Sequence, residues 1–538
     1  MYDYIIVGGG SGGGVMANRL SESGTDTVFL LEAGSKANSP FISTPAMFSA
    51  LVQDLKCNIY NWRFNTKPDA SMNGRSQYQP RGKGLGGSSN INAMVYTRGD
   101  AADYDAWEAE GNPGWGYKDV LPYFKKAENN ERGENEFHGV GGPLNVTDGG
   151  VDFEMYNNFL RSSLELGYRY NPDFNGENQE GVGVFQFTVK DGKRAGVRAS
   201  YIAPAMSRPN LLIETGAQAS RILFEGKRAV GVEYIVNGKT KIVRARKEVI
   251  LSSGAFGSPQ LLLLSGVGPA QELQEKGIDV VHDLPGVGKN LQEHPDVMLV
   301  FKSKTKSGIS MTPLGMIKAV GAYIRYLITG KGWIANPPTS MGGFLKSDDD
   351  QPLPNFQIHF VPLAYRDHAR DWKLMASWGF SYLVNLSRPK SRGEVTLASK
   401  DPMAQPDIQL NLLQHPDDMK QMRDAVKRVM EIANHSAMDD IRGDSVQPPK
   451  PFTSDEDVEG FLRREGAHVY HPVGTCKMGS DDMAVVDQSL KVHGLEGIRV
   501  VDASIMPLLI GANTNAPTIM IAEKVADMMK QEKLAQSS

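Results

Sequence analysis

The chain has 538 residues, of which 40% are hydrophobic and 22% charged, and its net charge is −4. That is the balance of a globular chain of roughly 3 to 4 domain-sized units, without the overall basic field that nucleic acid or an anionic membrane would draw on. Two cysteines, Cys57 and Cys476, exclude a disulfide framework or a zinc cluster, and no run of about 18 apolar residues offers a membrane span.

The opening MYDYIIVGGG lacks the charged start and the apolar length of a signal peptide, so a reducing cytoplasm is the expected compartment. Tyr2 to Val7 reads as a short buried strand. It runs into Gly8-Gly9-Gly10-Ser11-Gly12-Gly13-Gly14, with G-x-G-x-x-G spacing at Gly8, Gly10 and Gly13. VMANRLSES then has helical periodicity, Gly24-Thr25-Asp26 is a turn, and Thr27 to Leu31 is a second strand ending in Glu32. Gly8 permits the tight turn, Gly10 lets backbone approach a pyrophosphate, and Gly13 lets helix and strand pack closely. The helix start at Ser11 turns free N–H groups and a positive dipole end toward the phosphates. Glu32 can accept hydrogen bonds from ribose hydroxyls and disfavours a 2′-phosphate. These residues predict a site for the ADP half of a dinucleotide, NAD or FAD.

Residues 35–80 are irregular, with Tyr60, Trp62 and Pro68 scattered through polar sequence. A second glycine cluster covers 81–90. Helical stretches follow near 104–110 and 120–128, and the Gly- and Glu-rich 130–150 segment predicts an exposed loop. Strands are predicted within 210–253, running into a buried Leu-rich helix at 260–264. Residues 299–400 hold the strand-like FQIHFVPL and FSYLVNLSR, and a helix is expected over 416–434. Met311 to Ile328 is apolar with Lys318 and Arg325. It predicts a helix with one face on the core or, as the alternative, an amphipathic helix touching the cytoplasmic face of a membrane.

Near the C-terminus, His471 sits before Pro472 and a glycine turn, where a neutral imidazole could take the proton of an alcohol. His468 and His471 lack the further ligands a metal would need, so no metal site is expected. His468 reads as a supporting residue and Cys476 as a small buried filler. IRVVDAS predicts a strand ending in Asp502. APTIMIAEKVADMMK predicts a helix with Pro517 in its first turn, whose N-terminus would favour a reduced, anionic flavin.

Six stretches in this order resemble the glucose–methanol–choline (GMC) oxidoreductases, FAD enzymes that oxidise alcohols. They are the N-terminal fingerprint, GKGLGGSSNINAMVYTRG at 82–99, GAFGSPQLLLLSGVG at 254–268, DLPGVGKNLQEHP at 283–295, YHPVGTCKMG and NTNAPT. Within the family the chain resembles the bacterial branch of choline dehydrogenase, polyethylene-glycol dehydrogenase and the alkane-pathway alcohol dehydrogenases. The resemblance implies a Rossmann-like α/β FAD-binding domain, with a second α+β substrate-binding domain built on an antiparallel sheet with helices. The expected division is 1–155, 200–298 and 455–538 for FAD, and 156–199 and 299–454 for the cap. His471 falls on the catalytic histidine. Asn515 falls on a second active-site position, where its amide would hold the alcohol oxygen against His471.

Further cofactor contacts implied are Gly86, Gly87, Ser88, Asn90, Asn92, Ala93, Met94 and Val95 along the flavin and its ribityl-phosphate arm. Ala219 would lie at the adenine, Asp502 and Ala503 at the pyrophosphate and ribityl chain, and Asn513, Pro517 and Thr518 around the flavin. Some relatives tether FAD through a histidine in the 86–92 region. Here Ile91 stands there and no histidine occurs from 33 to 137, so FAD is expected to be non-covalent. The implied reaction is oxidation of a primary alcohol to an aldehyde, with hydride passing to flavin N5 and electrons going to a quinone-type or artificial acceptor. A sugar or alcohol oxidase using O2 and a non-redox lyase are the alternatives. Trp333, Tyr365, Trp372 and Trp378 are candidates for the substrate pocket.

Overall fold

In the computed structural model, described over residues 1–150, 153–366, 369 and 371–537, two large sheets organise the chain. The elements that matter for the site are, in chain order, β1 (Tyr2–Val7), α1 (Ser11–Ser21), β2 (Val28–Glu32), β3 (Gly181–Val184), β4 (Leu211–Thr215), β5 (Ala217–Glu225), β6 (Arg228–Val236), β7 (Lys239–Leu251) and α2 (Gly254–Leu264). They continue with β8 (Pro295–Ser303), α3 (Pro313–Thr329), β9 (Met341–Leu345), β10 (Phe356–Val361), β11 (Gly379–Leu386), α4 (Pro416–Asn434), β12 (Arg442–Gln447), β13 (Ala467–His468), β14 (Ile498–Val500) and α5 (Asn515–Ser537).

The first sheet runs β4-β2-β1-β7-β6-β5, with β14 also paired to β7. Its β4, β2, β1, β7 and β14 pairings are parallel, while β5, β6 and β7 form an antiparallel meander. Strands covered on both faces read as unbroken apolar runs, which is why IIV in β1 and VFLL in β2 are buried throughout. Helix α1 packs on α5 through a polar lock: the Arg19 guanidinium donates to buried Glu523 at 2.8–3.1 Å, and the Tyr201 hydroxyl donates to the same carboxylate at 2.9 Å.

The second sheet runs β12-β8-β11-β10-β9-β3, antiparallel throughout, with β13 on β8. Period-two alternation gives it two unlike faces. Val297, Leu299, Ile358, Phe360, Tyr382 and Val384 bury into a core shared with α4. Asp296, Met298, His359, Val361 and Leu383 point the other way, into a cavity between the sheets. Helix α4 starts where His415 accepts the Asp417 N–H, with Pro416 in its first turn and Asp417 and Asp418 at its positive end.

Three sequence expectations need revision. The expected 298/299 boundary falls inside β8, so that strand of the second sheet starts at Pro295, ahead of the boundary, and β13 brings residues 467–468 into the same sheet. The 130–150 segment is not simply a loop. Leu144–Asp148 pairs in parallel with Glu128–Asn130, and Glu128 is buried in an ion pair with Arg98. Helix α3 forms as expected but buries only Gly315 and Tyr326, so it does not lay an apolar face on the core.

Candidate active site

A cavity of about 1220 Å³ runs between the sheets, from Glu32 and Ala219 at one end to His471 and Tyr365 at the other. At the first end Gly8, Gly10, Ser11 and Gly12 line it, so the start of α1 opens onto it. The loop is packed so tightly that a Cβ at Gly12 would lie 2.1 Å from the Val501 carbonyl oxygen, and one at Gly13 would lie 1.9 Å from that of Gly8. Gly13 thus serves helix–strand packing and stays off the cavity wall. Glu32 lines the cavity and also clamps the loop, accepting N–H bonds from Gly9 (2.9 Å), Gly34 (2.7 Å) and Gly84 (3.0 Å). Burial pushes its carboxyl upward against those three bonds.

Gly87, Ser88, Asn92, Ala93, Met94 and Val95 also line the cavity. Gly86 and Asn90 do not. Gly86 turns the loop at φ +103°, and the Asn90 amide donates to the Leu85 carbonyl at 2.6 Å. Asp502 and Ala503 are on the wall. The Asp502 carboxylate accepts from Gly254 N (2.9 Å), Ser504 N (2.8 Å) and the hydroxyls of Ser258 and Ser504, tying β14 to α2. Thr518 lines the cavity, whereas Pro517 is buried in the first turn of α5 away from it. An elongated cavity with a glycine cradle, the open start of a helix and a carboxylate at its far end fits a dinucleotide of the length of FAD.

At the other end, Tyr470 takes a left-handed backbone (φ +68°) and the His471 N–H is tied to Glu293 at 2.6 Å. This fixes the ring of His471 against two partners. Its Nδ1 lies 3.0 Å from Nδ1 of His294, and its Nε2 lies 3.2 Å from the Asn513 amide nitrogen. Donor and acceptor roles follow from what surrounds them. His294 Nε2 faces two carbonyl oxygens, of Ser387 (2.9 Å) and Ile510 (3.0 Å), so it carries the hydrogen and Nδ1 is the acceptor. His471 Nδ1 is then the donor, which leaves Nε2 as the free base. The Asn513 oxygen accepts from the Thr97 hydroxyl at 3.0 Å and from Gln357 at 3.4 Å, which points its NH2 at His471.

Asn513, not Asn515, is therefore the partner of His471. Asn515 accepts the Ser11 hydroxyl at 2.7 Å, which joins the end of the Asn-rich loop to the glycine loop. The two asparagines are two residues apart, and only the course of the loop decides between them.

Burial, reinforced by His294, holds the His471 ring well below the ordinary histidine range, and burial lowers His294 as well. Burial alone would raise Glu293. The hydrogen bond and charge of His468, with help from His471 and Arg81, instead bring it to about 2. His468 Nδ1 lies 3.5 Å from the Glu293 carboxylate, so it supports the site through that residue. Cys476 is buried, and burial pushes its thiol upward.

Several residues were invisible as site residues in the sequence. His294 and Glu293 lie in the DLPGVGKNLQEHP motif but showed no role there. Asp296 and His359 reach the cavity only through strand alternation. Burial and the Glu293 charge push Asp296 up to about 8, and its Oδ1 has no hydrogen-bond partner. Burial lowers His359 to about 4. Of the four aromatic candidates, Trp333 and Tyr365 line the cavity, Trp372 is exposed, and Trp378 lies under the Lys318 ammonium at 5.0 Å.

Comparison with known proteins agrees with this geometry. GMC oxidoreductase family profiles match residues 2–296 and 389–522. The chain is 44% identical to oxygen-dependent choline dehydrogenase 1 of Chromohalobacter salexigens, over 98% of this chain and 95% of that one. It is 43% identical to an alcohol dehydrogenase [acceptor] of Pseudomonas putida, over 98% and 96%. A formate oxidase variant from Aspergillus oryzae RIB40, whose FAD modification was studied, superposes with a TM-score of 0.91 at 28% identity, over 99% and 98% of the two chains. With the cofactor cradle and the His471 cluster in one cavity, the chain belongs to the GMC oxidoreductases, as an FAD-dependent oxidoreductase acting on CH–OH donors.

Proposed function

We propose that the protein oxidises a primary alcohol to its aldehyde, with Nε2 of His471 as the base. The single observation that carries this reading is the arrangement of His294, His471 and Asn513, which leaves one unprotonated ring nitrogen facing one amide donor. An alcohol oxygen seated beside both, within hydrogen-bond reach of each, gives its proton to Nε2 and accepts from the Asn513 NH2. Negative charge building on that oxygen is met by a donor already in place. FAD, when bound, supplies the acceptor for the two electrons leaving the alcohol carbon. His471, Asn513 and the apolar wall of Met298, Val361, Leu363 and Leu383 position the alcohol and keep water away from it. Electrons then pass to a quinone-type or artificial acceptor.

The wall suits an aliphatic or aryl alcohol. A second reading, a quaternary-ammonium alcohol, is favoured by Asp296 near Tyr365, with Trp333 also lining the cavity. The test is anaerobic mixing of the holoprotein with a panel of alcohols, choline and sugars, following bleaching of the visible flavin band. Bleaching by primary alcohols, and loss of about 10² to 10⁴ in its rate in His471→Ala with flavin still bound, are expected. No bleaching by any member would point to a lyase, and unchanged rates in His471→Ala would refute the base. Reoxidation by air rather than by a quinone analogue would make the protein an oxidase.

A further inference from the structure

Helix α3 is turned inside out. The residues it presents to the rest of the protein are small: Gly315, Ala319 and Ala322, with Tyr326 one turn on. Its backbone approaches so closely that a Cβ at Gly315 would lie 2.1 Å from the Ser310 carbonyl oxygen. The large aliphatic side chains point outward. Ile317 is 69% exposed and Ile328 77%, and Val320, Ile324 and Leu327 are each more than half exposed. At 100° per residue these five occupy one continuous face, and the helix's two cations, Lys318 and Arg325, stand together along one flank of it. Such a contiguous face is larger than the isolated hydrophobics that surfaces normally carry.

The patch extends beyond the helix. The Met311 N–H donates to the Met375 carbonyl at 2.8 Å, which sets the short helix Trp372–Met375 beside the start of α3, and Trp372 is 63% exposed. At the other end, Ala322 and Tyr326 pack with Ala46, Trp333 and Ile334, and the Ala46 N–H donates to the Ile334 carbonyl at 3.1 Å. That neighbouring segment carries the exposed Phe41. The segments packed at the two ends of the aliphatic strip therefore each carry an exposed aromatic side chain, a residue type that interfacial helices combine with aliphatic ones on the lipid side.

Charge selects the occupant. The chain as a whole is acidic, yet residues 297–345 contain Lys302, Lys304, Lys306, Lys318, Arg325 and Lys331 and not one Asp or Glu. All six are exposed. Lys318 is held in place, donating to the Lys306 carbonyl at 2.8 Å. In a second copy of the chain, the same stretch offers no acid to meet these cations. Lipid phosphates do.

We propose that this face docks on a lipid bilayer carrying anionic headgroups. Helix α3 lies in the plane of the surface with Ile317, Ile324 and Ile328 in the acyl boundary and Lys318, Arg325 and Lys331 at the phosphates. Among the described residues no helix is long and apolar enough to cross a membrane, so contact is from one side. Ala46, Ile309 and Trp333 line the cavity, and Ala46 and Trp333 also back α3, so docking sets that wall of the cavity against the lipid.

The experiment is flotation of the holoprotein with vesicles of pure phosphatidylcholine and of phosphatidylcholine with phosphatidylglycerol (about 2:1), alongside gel filtration without lipid. The wild type should float with the anionic vesicles more than with the neutral ones. Ile317→Asp with Ile324→Asp should lower that partition about a hundredfold while leaving dye-linked alcohol oxidation unchanged, since neither residue lines the cavity. Arg325→Glu with Lys331→Glu, which leaves the apolar face intact, should lower it about tenfold or more on anionic vesicles only. Absence of flotation, or flotation unaffected by either pair, would overturn the proposal. So would a lipid-free dimer that Ile317→Asp with Ile324→Asp converts to a monomer, because the face would then join two copies.

Discussion

Replacing His294 tests the proton arrangement without touching the proposed base. In His294→Leu the Nδ1–H of His471 loses its acceptor inside a buried pocket. Leaving such a donor unpaired costs about 1–3 kcal/mol, which is about 5- to 150-fold in the population of the tautomer with a free Nε2. The ring can recover by moving its hydrogen to Nε2, but that hydrogen would then face the Asn513 NH2, fixed in direction by Thr97. Either way kcat/KM should fall by that factor. His294→Gln offers a carbonyl to His471 Nδ1 and an NH2 to the oxygens of Ser387 and Ile510, and it should recover most of the loss. The assay is the rate of anaerobic flavin reduction against alcohol concentration across pH, with flavin content measured per protein. In the wild type, burial and His294 depress His471, so a base that must be unprotonated keeps working as pH falls through 6.5, and the acid limb lies lower. A His294→Leu protein with kcat/KM within about twofold of wild type and the same pH profile would refute the reasoning. So would a Gln variant as slow as the Leu variant.

Other outcomes follow from the same geometry. Asn513→Ala should cut kcat/KM about 10- to 100-fold with flavin retained, while Asn515→Ala should loosen flavin binding and spare the rate of the bound fraction; the reverse pattern, read by flavin titration and single-turnover kinetics, would restore Asn515 to the substrate. Asp296 stays protonated up to about pH 8, so KM for a quaternary-ammonium alcohol should rise as pH falls below 8 while KM for a neutral alcohol stays flat. Asp296→Asn should abolish that difference, and parallel KM profiles in the wild type would remove the carboxyl from substrate recognition. Acid precipitation should release the flavin into the supernatant, because buried Ile91 offers no nucleophile. A yellow pellet would mean a covalent link elsewhere.

What could be read from the sequence was what is local. The loop from Gly8 to Gly13 has a fixed spacing because each glycine answers a contact within one strand–turn–helix unit. The helix at 416–434 carries its own cap and its own apolar period. The site is different in kind, since His359 and Asp296 reach it from strands of the second sheet, with His294 just ahead of one, and nothing within a few residues says which way each side chain faces. Asn513 and Asn515 have equal claims by type, and Thr97, more than 400 positions away, settles the matter by orienting one of them. Helix α3 misleads for the opposite reason. Its period is correct, but small residues take the inner face, so the usual inference from large apolar side chains to the core points the wrong way.

The contacts joining α1 to α5 have a consequence for how the protein is made. Ser11 meets Asn515 and Arg19 meets Glu523, each pair 504 positions apart in sequence. At a translation rate of about 5–20 residues per second, the first glycine loop waits roughly 25 to 100 s for the helix that completes it. During that interval Val15, Met16, Ala17 and Leu20, all buried in the finished fold, lack part of their cover. The nascent chain therefore carries an open apolar helix on the ribosome for most of its synthesis, a surface that chaperones or neighbouring chains can seize. Yield of the flavoprotein should depend on how that wait is managed as well as on the final stability of the fold.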